Sequence, residues 1–174
     1  MHRPLASLLV SLFTVFAVSA CGGSQLEVVD GVSGQLVIGS TNANFGVHDL
    51  TTGFLPDPAT YDVVSGGNLD AAQAAGSGCN GWVTQQPDVV VRFEDMHGFL
   101  RFAFRANNPG EDATIIVNDG AGNWHCNDDA VGLNPMVDLA DAPPGHYDIW
   151  IGSYASGENV QGQLLVTELQ NVTP

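Results

Sequence analysis

Hydrophobic residues recur at every second position over short runs of this chain. Val89, Val91 and Phe93 alternate with Val90, Arg92 and Glu94, and Leu100, Phe102 and Phe104 alternate with Arg101, Ala103 and Arg105. A period of two places one set on a buried sheet face and leaves the other wet. Apolar runs at Leu36–Ile38, Tyr61–Val64, Thr114–Val117, Met136–Leu139, Tyr147–Ile151 and Leu164–Leu169 continue the series, so about eight strands are predicted. Residues 107–110 (NNPG), 118–123 (NDGAGN), 142–145 (APPG) and 156–157 (SG) supply the positive or preset φ that a chain reversal needs. Only residues 68–75 (NLDAAQAA) have helical composition, and that stretch is too short to be stable alone. Regularly spaced strands with no helices alternating between them predict an all-β, antiparallel β-sandwich occupying residues 31–174 as a single domain. On this pattern Arg92, Arg101 and Arg105 fall on the outward faces of two consecutive strands. Pairing through residues 95–98 (DMHG) would bring the three charges to one surface; the simpler expectation is solvated arginines balancing Glu94, Asp95 and Glu111.

The first twenty residues break the pattern. Met1 to Pro4 carry a positive start, and Leu5 to Val18 are apolar without a charge. So short a run, closed by small residues, reads as an export signal rather than a membrane-spanning helix. Its end, Val18-Ser19-Ala20-Cys21, resembles the bacterial lipobox, in which the Cys thiol is acylated and the peptide is cut just before it. Residues 1–20 are therefore expected to be a lipoprotein signal peptide, with Cys21 the palmitate-type acylation site and residues 21–30 the lipidated N-terminus and tether. Several acyl chains on one residue meet the requirement of more than one chain for stable anchoring in a bilayer. Gly22, rather than Asp, after the Cys points to the outer more than the inner membrane of a bacterial envelope.

Charge narrows the partners. Beyond residue 20 there is no lysine, and three arginines stand against 19 acidic residues, a formal charge of −16. Sequence-independent nucleic-acid binding requires Lys and Arg to neutralise phosphates, so nucleic acid is excluded as a partner, as is a polybasic membrane patch. Composition alone reads as solubility outside the cell; affinity for divalent cations is the sharper meaning. Cys79 and Cys126, the pair left after Cys21, read as a disulfide in an exported chain. Closing so long a loop stabilises a fold by roughly 4 kcal/mol. The alternative, a Cys/His metal site with His125 and His97, lacks the paired spacings of zinc ligands.

More specific strings follow. Residues 76–81 (GSGCNG) precede 87–89 (PDV), then come 112–118 (DATIIVN), 122–129 (GNWHCNDD), 132–136 (GLNPM) and 145–152 (GHYDIWIG). Together they resemble a bacterial secreted β-sandwich module of the pre-peptidase C-terminal type, from about Phe54 to Leu169. The resemblance implies a jelly-roll-like sandwich, an accessory non-catalytic role, and a bridge between Cys79 and Cys126. Asn127 departs from it, standing where another acidic residue is expected.

Residues 118–138 admit three chemistries. A nucleophilic Cys126 beside His125 needs a free thiol, which the bridge removes, and no Gly-x-Ser-x-Gly elbow is present. A calcium site would draw carboxylate and amide oxygens from Asp119, Asn123, Asp128, Asp129 and Asn134 on two neighbouring loops. In the third reading the same Asp and Asn side chains cap turns through their own backbone. The functional expectation is a lipid-anchored cell-envelope sandwich, held to the bilayer through acylated Cys21, that acts as a non-catalytic module binding a glycan, a protein or another envelope component. Calcium is the one cofactor considered. An extracellular glycan hydrolase, using acids among Asp62, Asp70, Asp128 and Asp148, and a structural surface protein are the alternatives.

Overall fold

The computed structural model describes residues 35–174; the expected signal peptide, Cys21 and the expected tether lie outside the described residues. Eleven strands and one helical turn follow in order: β1 (Val47–Leu50), β2 (Ala59–Val64), β3 (Leu69–Asp70), α1 (Ala71–Ala74), β4 (Trp82–Val83), β5 (Val89–Phe93), β6 (His97–Ala106), β7 (Ala113–Asn118), β8 (Trp124–Asn127), β9 (Met136–Ala142), β10 (Gly145–Ser153) and β11 (Gln161–Thr167). They form two sheets. In the first, β10 lies at the centre, with β5 and then β4 along one side and β7, followed by β8, along the other. The second sheet has the order β2–β11–β6–β9 and is antiparallel throughout.

The period-two runs form the strands as expected, and their apolar sets meet between the sheets. Val89, Val91 and Phe93 of β5, Ile115 and Val117 of β7, and Tyr147, Ile149 and Ile151 of β10 pack against Leu100, Phe102 and Phe104 of β6 and Leu164 and Val166 of β11. Burying each large apolar side chain contributes about 1.5–3 kcal/mol, so this layer is the main source of cohesion. The β-sandwich is thus established by the strand pairing.

Four details differ from the sequence reading. Consecutive strands β5 and β6 lie in different sheets, because both carry apolar faces that bury only by facing one another. The link at residues 94–96 is a crossing between sheets, so Arg92 does not share a surface with Arg101 and Arg105. The first sheet is not wholly antiparallel: β1 runs parallel to β5, with Val47 opposite Val90. Leu36–Ile38 is not a strand; it belongs to an irregular strap, residues 35–46, that crosses the first sheet's outer face. Finally, that outer face is covered rather than wet. Trp150 and Ile116 pack there against Leu36, Ala71, Cys79 and Val83, a second small core. The helical composition of residues 68–75 supplies part of its roof as the single turn α1, whose N-cap Asp70 accepts the Ala72 N–H at 2.9 Å.

Candidate functional site

Residues 119–134 carry Cys126 and the five candidate calcium ligands. Cys126 lies in β8 opposite Ile116 and is bonded to Cys79, with the two Cα atoms 5.1 Å apart at a sequence separation of 47. The bridge ties the loop after α1 to the outermost strand of the first sheet, over the second core. The thiol that a nucleophilic site requires is therefore consumed in a structural link. His97, the distant partner of a Cys/His site, is fully buried at the start of β6 in the second sheet, where its Nδ1–H donates to Glu168 Oε1 at 2.7 Å.

The five calcium candidates do not converge. Asp119 and Asn123 occupy the β7–β8 turn, whereas Asp128, Asp129 and Asn134 follow β8 at its other end. At about 3.3 Å per residue along a strand, the two groups are roughly 15 Å apart, while ligands of one calcium ion each sit about 2.3–2.6 Å from it. The loops are thus opposite rather than neighbouring, and one coordination shell cannot span them. Among the described residues, no three His, Cys, Asp or Glu side chains are grouped to hold a metal ion.

Each side chain has a local task instead. Asp119 Oδ1 accepts the N–H groups of Ala121 (2.9 Å) and Asn123 (2.8 Å), closing the turn, and Oδ2 accepts from Asn123 Nδ2 (3.1 Å) and His125 Nε2 (2.8 Å). Burial alone would push this carboxyl up; the bonds from His125, Asn123 and Ala121 outweigh it and hold the group below its ordinary range. Asp128 Oδ2 accepts from Asn80 Nδ2 at 2.8 Å, next to the disulfide. Asn134 Oδ1 accepts the Ala106 N–H at 2.9 Å, joining the loop to the end of β6. Asp129 is exposed; with Asp128 and Glu158 it raises the Asp112 carboxyl, already pushed up by burial.

The acids considered for hydrolysis are also dispersed. Asp62 accepts from Gln163 on the second sheet, Asp70 caps α1, and Asp148 accepts the Gly39 N–H at 2.6 Å on the outer face of the first. The arginines are paired separately. Arg92 makes a two-pronged bond to Asp49; Arg101, buried, does the same with Asp138 while also donating to the carbonyls of Gln170 and Val172. Arg105 donates to Gln163.

Sequence reasoning missed the polar network beneath the strap. Asp88, only 1% exposed, accepts from Asn44 Nδ2 at 2.9 Å and from the Ile151 N–H at 2.8 Å. No cation faces it. Burial pushes its carboxyl up to about 7 against the opposing pull of those donors. Gln86 Nε2 donates to Ser40 Oγ and to the Asn42 carbonyl, fastening the strap further. A signal existed: Asp88 abuts Val89-Val90-Val91, three apolar residues in succession, which marks a strand buried on both faces.

No protein-family model matches this chain, and no curated protein does. Among solved structures, the chain is similar to the pre-peptidase C-terminal domain of a collagenase from Bacillus anthracis, at 15% identity and a TM-score of 0.43, covering 72% of this chain and 99% of that one. That domain is of the type the sequence strings resemble. A β-glucosidase from Paenibacillus barengoltzii is also similar, at 12% identity and a TM-score of 0.31, over 75% of this chain. The match spans only 12% of the glucosidase, whose activity is a property of that protein.

Proposed function

We propose that this chain is a non-catalytic accessory module, anchored in the bacterial envelope through acylated Cys21 and presenting its sandwich to an envelope glycan or protein. The observation that carries this reading is the strap. The polypeptide arriving from the Cys21 side is fastened across the first sheet through Leu36 in the second core, Gly39 on Asp148, Ser40 on Gln86 and Asn44 on Asp88. A pull on a tether is thereby passed to the central strand β10, which carries Asp148 and the Ile151 N–H. The same carboxylates that would serve a hydrolase are engaged singly in caps and clasps, which favours a binding role over turnover. The placement in the outer rather than the inner membrane rests on Gly22.

The test is recovery of the full-length protein from membranes. It should co-purify with an envelope polysaccharide or protein in near-stoichiometric amount and release no sugar or peptide from it over hours. Recovery without any envelope partner, or measurable turnover of the partner, would defeat the reading.

A further inference from the structure

A surface cleft of about 470 Å³ opens at one edge of the sandwich, where the end of the strap approaches β2 and the start of β11. Its volume falls within the roughly 300–1,000 Å³ usual for small-molecule sites. Phe45, Val64, Asp62, Asn107 and Gln161 line it. Phe45 is 38% exposed, yet its backbone is held on both sides: its N–H donates to the Asp88 carbonyl at 2.7 Å, and the next carbonyl, of Gly46, accepts from Val90 at 3.1 Å. The ring is thus presented to solvent from a fixed backbone, at little further entropy cost on binding.

The polar side is also set in advance. Arg105 donates to Gln163 Oε1 at 2.8 Å, which turns the Gln163 amide so that Nε2 donates to Asp62 Oδ1 at 3.0 Å. That relay orients the Asp62 carboxylate. Within residues 35–174, Asp62 Oδ2 and the side-chain amides of Asn107 and Gln161 have no partner in the protein.

We propose that this cleft binds a neutral pyranose unit of a glycan chain. A pyranose presents C–H bonds on one face, which suit the negative face of the Phe45 ring. Its rim of hydroxyls, each donor and acceptor, matches one carboxylate oxygen and two primary amides. The Arg105 guanidinium is directed to Gln163, and Asp62 together with a net charge of −15 repels uronate or sulfated sugars. The proposal rests on the binding-module reading and names the ligand class and the site for it.

The experiment titrates the full chain, extracted in detergent, with neutral β-1,4-linked glucose and N-acetylglucosamine hexamers, an α-1,4-linked glucose hexamer, a galacturonate trimer and a proline-rich decapeptide, by calorimetry. At least one neutral hexamer should saturate, and Phe45→Ala and Asp62→Ala should each weaken it tenfold or more. Asn107→Ala, at an exposed position, should weaken it at least threefold, with a cooperative melting transition kept in all three variants. Absence of saturation by any neutral hexamer, or preferential binding of the galacturonate or the peptide, overturns the ligand class. Neutral-hexamer binding indifferent to all three variants overturns the cleft while leaving the binding-module reading standing; failure of the membrane recovery above overturns that reading itself.

Discussion

Asp88 Oδ2 accepts the backbone N–H of Ile151 at 2.8 Å across 63 residues of sequence, joining the start of β5 to the middle of β10 in a fully buried site. The other oxygen holds Asn44 of the strap. One carboxyl group therefore links the central strand to the segment that leads toward the N-terminus.

The first prediction concerns pH. With a folded value near 7, Asp88 binds its proton more tightly folded than unfolded. The folded state then carries more protons between about pH 4 and 7, so its stability falls as pH rises through that window and levels off above it. The shift corresponds to up to about 4 kcal/mol. Asp88→Asn, uncharged at every pH, should flatten this fall, so thermal unfolding from pH 4.5 to 8 should show the two proteins diverging. Parallel curves would mean the Asp88 carboxyl is not the source.

The disulfide is expected to matter through the second core. Cys79→Ala, or Cys126→Ala, should cost about 2–5 kcal/mol, observed as a lower melting temperature under non-reducing conditions. The wild-type domain should show no free thiol at Cys79 or Cys126 when denatured without reductant. Titration of both thiols in unreduced protein would contradict the bridge.

Asp119 should act as a turn clasp whatever the metal concentration. Asp119→Ala leaves four donor contacts unmet in a mostly buried position, at a cost of about 1.5–3 kcal/mol. Unfolding in chelator and in millimolar calcium should show equal losses. A loss confined to the calcium sample would return Asp119 to a metal-binding role. The depressed Asp119 carboxyl also contributes stability that is present above the ordinary carboxylate range and lost as pH falls through its folded value.

Anchoring is tested at Cys21. Replacement by Ser should abolish metabolic palmitate labelling and move the protein out of the membrane fraction. Unchanged labelling would remove the lipobox reading, since Cys79 and Cys126 are bonded to each other.

The sequence by itself determined the long strands, the turns between them and the pairing of Cys79 with Cys126, but not the short strands β1, β3, β4 and β8. Period-two alternation is a local property: whichever partner a strand finds, Leu100, Phe102 and Phe104 share one face and need cover. Turn residues act within four positions, and only two cysteines follow Cys21, which leaves few partners. Only the tertiary structure decided which strands share a sheet, and hence that β5 crosses to β6 instead of folding back on it. It also decided that the first sheet has two buried faces, through contacts between Gly39 and Asp148 that span 109 residues. The environments of Asp88, Asp119 and Asp148 are set by such distant groups. A strand four residues long, β8, was enough to hold the acids of one short stretch apart. Adjacency in sequence places carboxylates on the same segment; it takes the direction of the backbone between them to say whether they face one point.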